Sequence, residues 1–247
     1  MRRSQARNTV SPVFGIQCFL RGISLAFTRD NLPFVIAPAL TSLAVVSLGL
    51  YFAFSYVEDL SAYLVGTLPA WLSFLSAILE PLLYLFGILT GTWLFGFLAA
   101  IIGSIFLGDL ALKIDGGDGT ERPWYHDIWP ALKREARKLR YHLPRLLALV
   151  VLSVIPLINA FAPLLWILFG AWLMAIQFCD FAVENRRMDF LETLAILRGR
   201  RMAALGFGAC ATFAMAIPLL NFLVAPVAVI GGTLLMRAHF DGEGRES

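Results

Sequence analysis

The stretches VIPLINAFAP, Val154 to Pro163, and AIPLLNFLVAP, Ala216 to Pro226, decide the fold of this chain. Each sits inside a long run without a charged residue, 146–179 and 202–236, and each places a proline, an asparagine and a second proline near the run's centre. The two runs hold 34 and 35 residues. One helical crossing of a ~30 Å hydrocarbon core needs roughly 20 residues at about 1.5 Å each, so either run is too long for one crossing. Split at its tip, each run gives arms of about 17 residues, or roughly 25 Å, too short for two crossings. Proline ends a helix interior but suits a first turn. Pro156 and Pro218 are therefore expected to end entering arms, Pro163 and Pro226 to start returning arms, and Asn159 and Asn221 to occupy the tips. Both runs read as re-entrant helical hairpins, whose non-helical tips must be covered by protein or line a wet cavity.

Composition supports lipid as the solvent for most of the chain. Of 247 residues 59% are hydrophobic and 15% charged, and the mean hydropathy is +0.75. Such values exclude an ordinary soluble domain. The runs 31–57 and 81–108, at 27 and 28 residues, each suit one tilted crossing. The run 60–79 carries Gly66, Thr67 and Pro69, and only Glu80 precedes Pro81, which leaves no loop for reversing direction. Residues 58–80 are expected to form an amphipathic or partly inserted outer connector.

Positive charge orients the chain, because lysine and arginine near membrane segments stay on the cytoplasmic side. All 20 lie in 2–29, 113–145, 186–201, or at 237 and 245, and none falls between the two long spans. Residues 58–80 are thus expected outside and the N-terminus inside. Both hairpins have basic flanks at both ends, Arg145 with Arg186 and Arg187, then Arg200 and Arg201 with Arg237. A kinked single crossing would strand one flank outside. The fold expected is an all-α integral membrane protein, a single membrane domain over 1–247 with two long spans and two re-entrant hairpins. Residues 12–29 and 184–201 are expected to be interfacial helices, 109–145 a cytoplasmic basic segment, and 240–247 a tail.

The segment IDGGDGTERP from Ile114 is glycine-rich but lacks the spacing of a phosphate loop, and reads as a loop. Asp127 is placed to cap the helix that follows. In that helix Lys133, Arg134, Arg137 and Lys138, with Arg140, cluster in less than two turns. They read either as a lipid-facing surface or as a basic vestibule that attracts anions. Between Glu184 and Arg201, Phe190, Leu191, Leu194 and Leu197 form an apolar stripe opposite Asp189 and Glu192. The pair Gly87 and Gly91 in GILTG marks either a contact between subunits or packing within one.

Enzymatic chemistry finds no support in the sequence. His126, His142 and His239 form no metal-ligand spacing. Cys18, Cys179 and Cys210 are scattered in apolar segments and read as packed thiols. Asp109, Asp180 and Glu80 lie near the ends of the apolar runs, where a proton-coupled pump would place carboxylates deep inside. No short apolar region with a cleavage site precedes the first span, so no signal peptide is expected. No catalytic residue, cofactor, metal or nucleic-acid partner is implied.

Three segments carry a family resemblance: LKREARKLRYHLPR (132–145), APLLWILFGAWLMAIQFCDF (162–181) and IPLLNFLVAPVAVIGGT (217–233), with weaker similarity in RGISLAF and FVIAP. Together they resemble the CysZ family of bacterial sulfate permeases, within the etoposide-induced membrane protein superfamily. The resemblance implies a bacterial inner-membrane protein with two spans and two hemi-penetrating hairpins. It further implies a homo-oligomer that passes sulfate, or another oxyanion, inward for cysteine synthesis. Family members read like PGLRRF before the first span, with the arginines and nearby amides implied in holding sulfate. This chain reads RDNLPF, with Leu32 and Pro33 at the arginine positions. Similarly, a segment like APFNGLLAE is here SIFLGDLAL, Ser104 to Leu112. Both departures point to a divergent member.

A buried oxyanion needs charge-assisted hydrogen bonds to offset its dehydration. Arg29, with Thr28 and Asn31 beside it and Arg21 further back, is the nearest substitute for the missing pair. The expected path runs past the tips Asn159 and Asn221 to the basic segment. The competing reading is a non-transporting protein that organises lipid or partner proteins through its basic interfacial helices.

Overall fold

The computed structural model describes residues 11–67, 69, 74–116, 128–217 and 221–243. Every regular element among them is helical, and no strand occurs among the described residues. In chain order they are α1 (Pro12–Ala26), α2 (Leu32–Gly66), α3 (Ser76–Asp115), α4 (Ile128–Val154), α5 (Pro156–Asn159), α6 (Ala162–Asn185), α7 (Phe190–Gly199), α8 (Arg201–Met215) and α9 (Asn221–Glu243). Among the described residues four stretches are long and apolar enough to cross a membrane: Leu32–Gly66, Ser76–Phe95, Ala162–Asn185 and Leu223–Asp241. The chain divides into two compact units, Ile36–Phe106 and the remainder.

The unit Ile36–Phe106 is built by α2 against α3. Gly87 lies against Val57, Gly91 against Ala53 and Gly49 against the Phe95 ring, so 49, 53 and 57 meet 95, 91 and 87 in antiparallel register. The Gly87–Gly91 pair therefore packs within the chain, which settles the alternative that the sequence left open. Burial elsewhere on these helices is slight, covering 12% and 6% of their most apolar windows. Tyr51, Phe52, Phe86 and Trp93 all point outward. Such a surface would drive aggregation in water, whereas in a bilayer it is solvated by lipid.

Helix α2 does not stop at Val57. It continues past Glu58 and Asp59 to Gly66, so much of the segment expected as an outer connector is its last turns. Residues 68 and 70–73 of that connector lie outside the described residues.

The larger unit has a core of α1, α6, α8 and α9. Apolar helices gain little from each other's hydrophobicity in lipid, so they associate through close van der Waals contact, which small residues permit. Gly208 of α8 lies so close to α6 that a Cβ there would stand 1.8 Å from the Ala171 carbonyl oxygen. A Cβ at Gly15 of α1 would stand 1.9 Å from the Ala203 carbonyl oxygen of α8. Gly22 and Gly232 occupy the corresponding places where α9 meets α1 and α6. Phe207, Ile176, Ile230 and Met236 fill the space between these crossings. Cys18 and Cys179 are buried in the same core as free thiols.

Helix α1 begins where Ser11 Oγ accepts the Phe14 amide at 3.3 Å, with Pro12 in the first turn. It buries Gly15, Cys18, Phe19, Gly22 and Ala26 on one face. Its other face exposes Val13, Ile16, Leu20 and Ile23, so it is apolar on both.

Helix α4 joins two segments that the sequence separates. It runs without interruption from Ile128 through Pro144 to Val154, so the basic segment and the first hairpin's entering arm are one element. The chain then folds back through Pro156–Asn159 into α6, which has Pro163 in its first turn. Trp166 Nε1 donates to Ser153 Oγ and Trp172 Nε1 to Tyr141 Oη, both at 3.1 Å, fixing α4 and α6 as an antiparallel pair. Helix α6 has 24 residues, longer than the arm of about 17 that the run length predicts.

Helix α4 ends two residues before Pro156, as the conformational restriction on a residue preceding proline requires. Pro226 is not at a helix start as expected. Helix α9 already begins at Asn221, and Pro226 lies within it. The first four amides of a helix lack partners anyway, so a proline just beyond them forfeits a single bond. Pro218, Asp127 with the rest of 117–127, the N-terminal 1–10 and the end of the tail lie outside the described residues.

The close approach at Gly208 gives a direct test. Gly208→Ala is expected to lower the thermal unfolding midpoint in detergent by several degrees, since backbone must shift to admit the methyl group. Gly103→Ala, in a helix position with nothing within 4 Å, is expected to leave it unchanged or slightly raised. Paired melts of the two variants check both.

Candidate functional site

Two polar clusters stand out in the larger unit, and the first is centred on Asp180 near the end of α6. Its side chain is fully buried. Arg134 of α4 binds it in bidentate fashion, Nε to Oδ2 at 2.7 Å and Nη2 to Oδ1 at 2.5 Å. Lys138, one turn on, reaches Oδ2 at 2.8 Å. Thr193 of α7 donates its hydroxyl to Oδ1 at 2.7 Å, and Arg134 Nη1 donates to the Met188 carbonyl at 2.7 Å. One carboxylate thus ties α4 to both α6 and α7.

The carboxylates decide the protonation of these bases. Burial works against the Lys138 ammonium most strongly, but the Asp180 and Glu135 carboxylates outweigh it and raise its pKa above that of an ordinary lysine. Arg134 is likewise opposed by burial and held more firmly protonated by Asp180. His142 is moved the other way, by burial and then by Arg145 and Lys138, and its Nδ1 is buried without a partner.

The same cluster changes the reading of the basic segment. Arg134 and Lys138 share Asp180, Lys138 pairs also with Glu135 at 2.6 Å, and Arg137 pairs with Asp189. Lys133 remains, its Nζ 5.3 Å from the centre of the Trp129 ring. Three of the four cations expected to form a vestibule, or to bind lipid, are therefore held by carboxylates of the chain itself.

The second cluster surrounds the end of α3, which closes on Gly116 at a φ of +79°, a conformation that glycine adopts freely. Cations gather there, as the negative end of a helix favours. Lys113 Nζ donates to the Asp30 carbonyl at 2.5 Å, and Arg237 Nη1 to the Ile114 carbonyl at 3.3 Å. Arg186 forms a bidentate pair with Asp115 at 2.7 and 2.9 Å and stacks on Phe240. Asn185 Nδ2 donates to the Gly108 carbonyl at 3.0 Å.

The turn between α1 and α2, which holds Thr28, Arg29 and Asn31, meets this cluster through the Asp30 carbonyl, while Arg21 lies back along α1. Thr28 Oγ1 and Asn31 Nδ2 both donate to the Leu25 carbonyl, at 2.8 and 3.1 Å, and so close the end of α1. Arg29 is exposed, and among the described residues it has no hydrogen bond or ion pair. Leu32 and Pro33 open α2, where proline suits the first turn. Asn159 is exposed at the end of α5, and Asn221 begins α9.

Helix α7 starts with a capping box, in which Asp189 Oδ1 accepts the Phe190 amide at 2.8 Å and Glu192 reaches back to the Asp189 amide. Its buried face is Phe190, Thr193, Leu194 and Leu197. Leu191, grouped with that face by the sequence reading, is exposed, and Thr193 takes its place to reach Asp180. Sequence reasoning missed Asp180, Lys113 and Asp115 because each stood near a run's end and looked like a solvated boundary charge. The available signal was spacing, since Arg134 and Lys138 fall on one helical face and two cations aligned there call for a shared anion.

Comparison with known proteins follows the same line. A family described as "Sulfate transporter CysZ/Etoposide-induced protein 2.4" matches residues 18–226. A protein of Vibrio cholerae named sulfate transporter CysZ is 36% identical over 239 residues, covering 94% of this chain and 96% of the relative. A protein of the same name from Pseudomonas aeruginosa is 37% identical over 228 residues, covering 89% and 93%. One from Vibrio parahaemolyticus is 35% identical over 234 residues, covering 92% and 95%.

Removing the shared acceptor should be costly. Asp180→Asn removes the buried acceptor that Arg134 and Lys138 share, leaving Lys138 with Glu135 and Arg134 with the more distant Glu184, and is expected to destabilise the fold by about 3 kcal/mol. Arg137→Gln breaks a half-exposed pair and is expected to cost less than about 1 kcal/mol. Thermal unfolding of both variants in one detergent reads the difference.

Proposed function

Because the chain belongs to the sulfate transporter CysZ/etoposide-induced protein 2.4 family, we propose that it moves sulfate, or a closely related oxyanion, across a bacterial inner membrane. The observation that carries this reading is similarity along almost the whole length of relatives named as sulfate transporters. Four helices long and apolar enough to cross a membrane are consistent with it.

Passive movement is the mechanism favoured. A proton-coupled carrier needs a titratable group free to change charge inside the membrane. Asp180, the buried carboxylate of α6, is instead committed to Arg134 and Lys138. The anion's contact at the α1–α2 turn is Arg29, with Lys113 across the turn as a second cation in place of the arginines that Leu32 and Pro33 replace. Lys113 spends one donor on Asp30 and keeps two.

In this reading α4 with α6, and α8 with α9, enter the membrane and return to the face they came from. Basic flanks at both ends of each pair support it, as does α8, whose 15 residues span only about 22 Å. The N-terminus is cytoplasmic, residues 58–80 are outside, and the oxyanion passes the Asn159 and Asn221 tips within a homo-oligomer. Uptake of this kind feeds sulfur assimilation and cysteine synthesis.

Uptake of radiolabelled sulfate into liposomes holding the purified protein tests the reading. Flux well above protein-free liposomes is expected, and flux equal to them overturns it. Arg29→Ala is expected to weaken sulfate binding about tenfold, on the scale of one charge-assisted hydrogen bond. Isothermal titration with sulfate, with chloride and sulfite as competitors, measures that loss.

A further inference from the structure

The junction of α7 and α8 carries charge that the transport reading does not use. The sequence RGRR puts Arg198, Arg200 and Arg201 within four residues. Arg200, at φ −123° and ψ 35°, breaks the helix between them. Arg198 in the last turn of α7 and Arg201 at the start of α8 consequently converge on one cleft of about 510 Å³, walled by Trp172 of α6 and Leu205 of α8. Both arginines are exposed, and among the described residues neither has a hydrogen bond or ion pair. With no carboxylate paired to either among the described residues, both guanidinium groups are available to an anionic ligand.

The rest of the surroundings narrow the ligand. Trp172 and Leu205 give the cleft apolar walls. On the same face of α6, one and two turns before Trp172, Leu168 and Leu164 are also exposed. Helix α6 is one of the four span-length apolar helices, so this stripe adjoins acyl chains while the arginines lie at its end. Tryptophan at such a boundary is the usual marker of headgroup depth. A small hydrated dianion has no use for the apolar half, whereas an amphiphile with an anionic head fits both.

We propose that this cleft binds an anionic glycerophospholipid, its phosphodiester between Arg198 and Arg201 and an acyl chain along Leu168 and Leu164. Arginine is the side chain best matched to phosphate oxygens, through its planar donor fork. The exposed basic face of α4 is the wrong place for this recognition, because Asp180 and Asp189 already hold Arg134, Lys138 and Arg137. The proposal requires that the chain be embedded in a membrane and is independent of which solute it moves.

The test uses delipidated full-length protein in detergent, titrated separately with palmitoyl-oleoyl phosphatidylglycerol, phosphatidylcholine of the same chains, and inorganic phosphate. Binding is read by native mass spectrometry. Phosphatidylglycerol is expected to bind best, with affinity falling about fivefold for each arginine removed and roughly thirtyfold in Arg198→Gln/Arg201→Gln. Lys133→Gln/Arg140→Gln, which removes two exposed cations from α4, is expected to keep full affinity. If the double variant does not fold, each single variant still reads its own fivefold step. The proposal is overturned if phosphatidylglycerol binds no better than phosphatidylcholine, if the Arg198 and Arg201 variants retain it, or if inorganic phosphate displaces it at equal concentration.

Discussion

A single buried carboxylate organises the polar half of the larger unit. Asp180 lies fully buried near the end of α6, where an unpaired charge would be untenable. Two cations of α4 and a hydroxyl of α7 satisfy it, so three helices have one acceptor in common. Each partner is held by geometry as well as charge, since the arginine fork is bidentate and the threonine hydroxyl fills the remaining lone pair on Oδ1. The base of the antiparallel α4–α6 pair is thereby fixed, while Trp172 with Tyr141 and Trp166 with Ser153 fix its middle and tip.

That neutralisation changes what the surface can recognise. A helix as basic as α4 suggests an anion-attracting face, yet Arg134, Arg137 and Lys138 answer the carboxylates Asp180 and Asp189 outside it. Lys133 and Arg140 stay exposed on α4, and further positive charge lies at Arg29 in the α1–α2 turn and at Arg198 and Arg201 between α7 and α8. Arg29 stands beside the cations that gather at the end of α3, and the cleft of Arg198 and Arg201 opens beside apolar side chains of a span-length helix. The oxyanion and lipid contacts proposed above thus fall at separate places in the fold.

The apolar half follows a different rule. In lipid, contacts between helices are decided by how closely backbones approach, and glycine sets that distance at the crossings of α1, α6, α8 and α9. In the unit Ile36–Phe106 the same device brings Gly87 and Gly91 onto Val57 and Ala53. Little else there is buried, which leaves aromatic side chains such as Tyr51 and Trp93 turned outward.

Membrane character, the two long apolar helices α2 and α3, and the fold-back at Pro156–Pro163 were legible from the sequence, because run length, charge and proline act locally or through the solvent. The family was legible too, from segments whose residues stand in an unbroken row. The length of α6, the continuation of α4 through Pro144 and the inclusion of Pro226 within α9 were not, since neighbouring packing can hold a helix through a proline that breaks it in isolation. Nor was the role of Asp180 legible. Its partners are 46, 42 and 13 residues away, and a carboxylate at the end of an apolar run looks the same whether water or two cations receive it. Residue type and order thus determined which solvent each segment meets, whereas only the tertiary structure decided which charges cancel and which stay free, because pairing depends on distances that the chain sets by folding.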